Sequence, residues 1–131
     1  MDTLRYGFVG AGTIARVHAE RLAQRSDVVL AAIADPSEAA LAQTADRFSI
    51  PGRYTDYRTM VEKESLDVVV VCVPNAYHAE ATLAALKAGC HVLCEKPPAL
   101  NAQQAEEMAA AAAQRNLRLM YGLNMRFQAE T

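Results

Sequence analysis

The stretch Tyr6-Gly7-Phe8-Val9-Gly10-Ala11-Gly12-Thr13-Ile14-Ala15 decides how the rest of the chain is read. The apolar pair Phe8-Val9 runs into Gly10-Ala11-Gly12, and a helical pattern begins at Thr13. Strand, glycine turn and helix in that order are what a dinucleotide-binding βαβ unit requires. Gly10 permits a tight turn off the strand. Gly12 has no Cβ to keep a pyrophosphate from the backbone, and Ala15, in place of a third glycine, still lets helix and strand pack closely. The N–H groups of residues 12 to 14 have no partner within the helix, and together with the helix dipole they favour a diphosphate there. A G-x-G-x-x-A motif alone is weak evidence, so the remaining residues have to support it.

Downstream, Ile14, Val17 and Leu22 predict an amphipathic helix to about Gln24, broken by Ser26-Asp27. Val28 to Ala34 is a near-continuous apolar run, as expected of a parallel strand covered on both faces. It ends at Asp35, twenty residues after Ala15, where a carboxylate can accept the ribose hydroxyls of an adenosine. Pro36 stops the strand, and Ser37 is placed to cap a helix carrying Leu41, Ala45 and Phe48. Arg53-Tyr54 reads as a short third strand, followed by a brief helix capped by Asp56. Leu66 to Val73, β-branched through its middle, is the clearest strand. Asn75 is placed to cap a helix that stops at Gly89, and His91 to Cys94 forms a fifth strand. Asn101, with Gln104 at the reciprocal position, caps an alanine-rich helix to near Asn116, and Leu117 to Gly122 is the sixth strand. Strands alternating with helices through short connections predict an α/β fold, a doubly wound parallel six-stranded sheet in the order 3-2-1-4-5-6.

Composition narrows the function. A chain of 131 residues, 52% hydrophobic, is sized for one domain with a proper core. A formal charge of −2 argues against nucleic acid or an anionic membrane as partner. Met1 to Arg5 lacks the apolar segment of a signal peptide, and no apolar run is long enough to span a membrane. Cys72, Cys90 and Cys94 are an odd count, and the last two are four apart, which is no C-x-x-C spacing. Reduced thiols in a cytoplasmic protein are expected, and no metal site.

Glu95-Lys96-Pro97, with Gly10 to Ala15, Val73-Pro74-Asn75-Ala76-Tyr77-His78 and Arg126-Phe127, resembles the Gfo/Idh/MocA family of NAD(P)-dependent oxidoreductases. The resemblance runs the length of the chain. It implies a dinucleotide-binding Rossmann domain over residues 1–122, with 123–131 starting the connection to a second α+β substrate domain that this chain lacks. It implies a cofactor site formed by Gly10, Gly12, Thr13, Ile14, Asp35, Val73, Pro74, Asn75, His78, Glu95 and Lys96. Lys96 would be catalytic, holding the substrate hydroxyl and helping its proton leave while hydride moves between substrate carbon and nicotinamide. Glu95 would contact the nicotinamide ribose. A histidine completing the proton relay would come from the second domain.

Each position also has a plainer role. Asp35 could simply cap the region of Ser37, yet its place at a strand's carboxyl end favours ribose binding, and its charge favours NAD over NADP. No arginine follows it directly, although Ser37 could hold a phosphate. Asn75 can serve as cap and nicotinamide-side contact together. His78 divides evenly between a half-buried residue and a cofactor contact, His18 is structural, and His91 is assigned nothing. Lys96, beside a cofactor cation and partly buried, would have a lowered pKa suited to proton transfer.

The expectation is an NAD-binding half of an oxidoreductase acting on a sugar- or polyol-like hydroxyl, which by itself binds cofactor and turns over little. Two other readings stay open: a non-catalytic NAD-binding sensor or scaffold, and a Rossmann-like methyltransferase, from whose G-x-G-x-G loop Gly12-Thr13-Ile14 departs. Oligomerisation would run mainly through the second domain, leaving this chain a monomer by default.

Overall fold

The computed structural model describes residues 3–73, 75–94 and 102–121. Their elements alternate: β1 (Leu4–Val9), α1 (Thr13–Leu22), β2 (Val28–Ala34), α2 (Glu38–Phe48), β3 (Gly52–Tyr54), α3 (Tyr57–Lys63), β4 (Val68–Val71), α4 (Asn75–Lys87), β5 (His91–Cys94), α5 (Ala102–Gln114) and β6 (Leu119–Tyr121). All six strands are parallel in one sheet, ordered β3-β2-β1-β4-β5-β6, the order expected from the sequence.

The apolar runs explain the layering. Strands buried on both faces send alternate side chains into two separate cores. Phe8, Ile33, Val68, Val70 and Leu93 meet Ala15, Ala19, Leu41 and Ala45 of α1 and α2 on one face. Val9, Val69, Val71 and Val92 meet Met60, Leu86 and Ala112 of α3, α4 and α5 on the other. Phe8, Ile33, Val69 and Val92 are fully buried, each contributing roughly 1.5–3 kcal/mol by the usual area scale. Ala15 is also fully buried, so the small residue expected at the third motif position does let α1 lie close against the sheet.

Element ends differ from the sequence reading by a residue or two, for local reasons. β4 is shorter than Leu66 to Val73, its register with β1 running from Val68 to Val71, and just ahead of it the Asp67 carboxylate accepts the Arg5 N–H at 2.8 Å. α1 ends at Leu22, two residues early, and α5 at Gln114 rather than Asn116. Asn75 is the first residue within α4 instead of a cap ahead of it. Asn101 lies outside the described residues. α2, α4 and the segment after α5 finish alike: Ser49, Gly89 and Asn116 adopt φ of 55°, 89° and 55°. In each case the next N–H reaches back to a carbonyl five residues earlier, Ile50 to Ala45, Cys90 to Ala85 and Leu117 to Ala112.

Cys90 and Cys94 are buried and Cys72 is half-buried, all three outside any disulfide. Burial, helped by the nearby Asp67 charge, pushes the Cys90 thiol up to about 11. His91 accepts the Arg118 N–H at Nδ1, 3.0 Å away, and so ties β5 to the approach of β6. His18 is buried on α1, in keeping with a structural role. No helix among the described residues is long and apolar enough to cross a membrane.

Candidate cofactor site

The sheet order reverses direction between β1 and β4, and ligands of open α/β sheets bind in the crevice beyond the strand carboxyl ends at such a switch point. A cleft of about 630 Å³ opens there, lined among others by Gly10, Asp35, Pro36, Tyr57, Val73 and Tyr77. A second groove of about 660 Å³ lies at the amino ends of the strands, against Arg5, Val29, Phe48 and Glu64. None of the predicted site residues lines it, whereas Gly10, Asp35 and Val73 line the carboxyl-edge cleft.

Gly10 turns the chain off β1 with φ +104°, and an added Cβ would stand 2.4 Å from the Cys72 carbonyl oxygen. Both facts require glycine. Gly12 differs: its φ of −87° and ψ of −161° suit any residue, and nothing lies within 4 Å of the place its Cβ would fill. The space that a diphosphate needs in front of the backbone is there. Gly12 is the N-cap of α1, no side chain caps the helix, and no acid stands in its first turn. Thr13 and Ile14, the first helical residues, are exposed beside it. This end of α1 offers donors and positive dipole to an anion.

Asp35 follows β2 and turns its carboxylate back onto the glycine turn. Oδ2 accepts the Ala11 N–H at 2.8 Å, and Oδ1 accepts the Ser37 N–H at 2.8 Å. The plain role foreseen for Asp35, ordering the approach to α2, is therefore real. It does not use up the carboxylate, because each oxygen keeps a second lone pair for a ribose hydroxyl.

The Ala11 carbonyl is held as firmly. The Thr44 hydroxyl, fully buried on α2, donates to it at 2.7 Å. Arg16 Nη1 lies 3.3 Å from both that carbonyl and the Thr44 Oγ1, while Nη2 reaches the Thr13 Oγ1 at 3.3 Å. Sequence reasoning did not find Thr44. The available signal was a hydroxyl at the buried face of a helix whose neighbours Leu41 and Ala45 are apolar.

The far wall of the cleft was not foreseen either. Tyr57 Oη and Arg58 Nη2 both donate to Glu80 Oε1, at 2.6 and 2.7 Å, joining α3 to α4. The Tyr57 and Arg58 bonds hold the Glu80 carboxyl below its usual range. Burial and then the Glu80 bond push the Tyr57 phenol up. Tyr77, 56% exposed, presents an aromatic face along the same cleft.

Of the remaining predicted residues, Val73 lines the cleft half-buried, and His78 is 2% exposed in the first turns of α4. Asn75 opens α4, and its side chain lies outside the described residues, as do Pro74, Glu95 and Lys96. β5 ends on the same sheet edge at Cys94, paired with Val71, immediately before Glu95 in sequence. Among the described residues no group of three or more His, Cys, Asp and Glu side chains is placed to hold a metal.

Residues 4–123 match the family described as an oxidoreductase family with an NAD-binding Rossmann fold, Gfo/Idh/MocA. The chain is 40% identical over 129 residues to the D-glucoside 3-dehydrogenase of Escherichia coli, covering 98% of this chain and 37% of that protein. It is 34% identical over 124 residues to the myo-inositol 2-dehydrogenase of Thermotoga maritima, covering 95% of this chain and 37% of that one. Among solved structures, scyllo-inositol dehydrogenase from Lactobacillus casei with bound NAD(H) and scyllo-inositol superposes with a TM-score of 0.87 at 29% identity. That match covers 96% of this chain and 38% of the other. The chain thus spans little more than a third of the length of the relatives it matches.

Proposed function

This chain belongs to the Gfo/Idh/MocA family of oxidoreductases, as its NAD-binding Rossmann domain, and from that premise we propose that it holds NAD(H) for the oxidation or reduction of a hydroxyl-bearing carbon on a sugar- or polyol-like substrate. The observation that carries the reading is the joint presence, on one turn, of an open helix N-terminus at Gly12 and the Asp35 carboxylate bonded to the adjoining Ala11 N–H. A diphosphate fits the first and an adenosine ribose the second. Bound nicotinamide supplies or accepts the hydride.

The chain's residues divide the remaining work. Gly12, Thr13 and Ile14 bind the diphosphate through backbone N–H groups, and Gly10 keeps the turn tight enough to allow it. Asp35 takes the ribose hydroxyls and repels a 2′-phosphate, so NAD is preferred to NADP. The cation on the cleft wall, Arg58, is already paired with Glu80 at 2.7 Å and does not offset that repulsion. Val73 and Pro74, which follow β4 in sequence, and Asn75 and His78 of α4 shape the nicotinamide side. Glu95 contacts the second ribose, and Lys96 holds the substrate hydroxyl and moves its proton. A second domain, following residues 123–131, supplies the substrate pocket and the other proton-relay group, so residues 1–131 alone bind cofactor with little turnover.

Calorimetric titration with NAD⁺, NADH and NADPH, repeated on Asp35→Ala, tests this. Saturable NAD(H) binding weakened about tenfold or more by the substitution is expected, the loss of hydrogen bonds to a charged group. A preference for NADPH overturns the role of Asp35. Failure to bind any of the three overturns the cofactor reading.

A further inference from the structure

We infer that Thr44 is a positioning residue for the cofactor diphosphate, acting through the peptide that joins Ala11 to Gly12. A trans peptide is planar, with its C=O and N–H pointing in opposite directions. Whatever fixes the Ala11 carbonyl therefore aims the Gly12 N–H. Thr44 fixes it from behind: its hydroxyl is fully buried and donates to the Ala11 oxygen at 2.7 Å. The Gly12 N–H is thereby directed away from α2, on the side of the turn opposite Thr44. The neighbouring peptide is set in the same way, since Asp35 Oδ2 takes the Ala11 N–H at 2.8 Å. Two side chains from separate elements thus grip both polar groups of one residue, Ala11, which is itself fully buried.

The grip matters because the conformation it holds is otherwise soft. Gly10 and Gly12 flank Ala11, and glycine peptides flip with little steric resistance. Gly12 has no neighbour within 4 Å of its Cβ position that would hold it by packing. The Arg16 guanidinium adds a second, longer contact to the Ala11 carbonyl at 3.3 Å and supports the Thr44 hydroxyl at the same distance. A donor aimed in advance binds a diphosphate without first being ordered, so removing the hydroxyl weakens the complex even though Thr44 never touches the ligand.

The inference rests on the NAD reading above, and the test separates the two. NADH is titrated into the wild-type protein and into Thr44→Val, Thr44→Ser and Arg16→Met, with thermal melting of each. Thr44→Val, which keeps the shape and loses the hydroxyl, is expected to raise the Kd for NADH roughly tenfold, the cost of one misdirected donor. Thr44→Ser restores affinity to within about twofold, since the hydroxyl returns. Arg16→Met, at a half-exposed position, raises Kd by roughly two- to fourfold, and it decides the matter alone if Thr44→Val does not fold. A lowered melting temperature with unchanged Kd in the variants overturns the inference, because a merely structural threonine would behave that way. Wild-type protein that does not bind NADH overturns the cofactor reading and this inference with it.

Discussion

Of the helices that begin on the carboxyl edge of the sheet, the three after β1, β2 and β3 begin differently from one another. α2 is closed by its own residues: Ser37 Oγ accepts the Ala40 N–H at 3.3 Å, and Glu38 sits in the first turn. α3 is closed by Asp56, whose carboxylate accepts the Arg58 N–H at 2.8 Å. α1 has Gly12 at its N-cap, no side chain reaching its N–H groups, and open space in front. A side-chain cap is worth about 0.5–2 kcal/mol, so a helix left without one has forgone stability. The contrast teaches that the starts of α2 and α3 are closed within the fold, while the start of α1 is left open, as the proposed diphosphate site requires.

The sharpest way to break the comparison is to give α1 the cap that α3 has. The backbone at Gly12 admits any residue, so Gly12→Asp meets no conformational obstacle. Stability is expected to rise by a few tenths of a kcal/mol in urea denaturation, since aspartate exceeds glycine as a cap by about that much. NADH affinity is expected to fall more than about 100-fold. Two unit charges 4 Å apart near a protein surface repel by about 4 kcal/mol, and a carboxylate there also occupies the diphosphate's donors. Binding retained within about tenfold would remove the distinction between α1 and its neighbours.

Much of this difference was legible in the sequence, because its parts are local. Gly10, Gly12 and Ala15 lie within six residues, and the apolar run Val28 to Ala34 ends visibly at Asp35. Four consecutive valines, Val68 to Val71, made the central strand plain. What stayed hidden depends on contacts that only the fold creates. Thr44 stands 33 residues from the Ala11 carbonyl it holds, and Tyr57 stands 23 from Glu80. Even Asp35 was half read: the ribose role proposed for it follows from position, while its bond to the Ala11 N–H needs β1 and β2 side by side.

A smaller test works on the capped side. Ser37→Ala removes the α2 cap and is expected to cost about 0.5–1 kcal/mol, toward the low end of cap losses because the bond is 3.3 Å long. NADH affinity is expected to hold, since the Ser37 N–H bond to Asp35 is a backbone contact that the substitution leaves in place. Affinity falling with stability would mean that the Ser37 hydroxyl serves the site, and that the closed and open helix starts are less distinct than they look.

The smallest effect lies at the other end of α2, where glycine is missing although the backbone asks for it. Ser49 adopts φ 55° and ψ 43°, the left-handed region, so that Ile50 N–H can reach the Ala45 carbonyl at 2.9 Å. α4 makes the same turn with Gly89 at φ 89°. An L-residue in that region costs roughly 1–2 kcal/mol, part of which glycine gives back through its greater freedom in the unfolded chain. Ser49→Gly is therefore expected to stabilise the protein by about 0.5 kcal/mol, read as a raised urea midpoint at unchanged slope. Gly12 stands in the opposite position, a glycine where the backbone requires none. If Ser49→Gly stabilises and Gly12→Asp abolishes binding, one chain holds serine where folding favours glycine and glycine where only a ligand does. A lowered midpoint for Ser49→Gly would place the strain elsewhere and leave Gly12 without its counterpart.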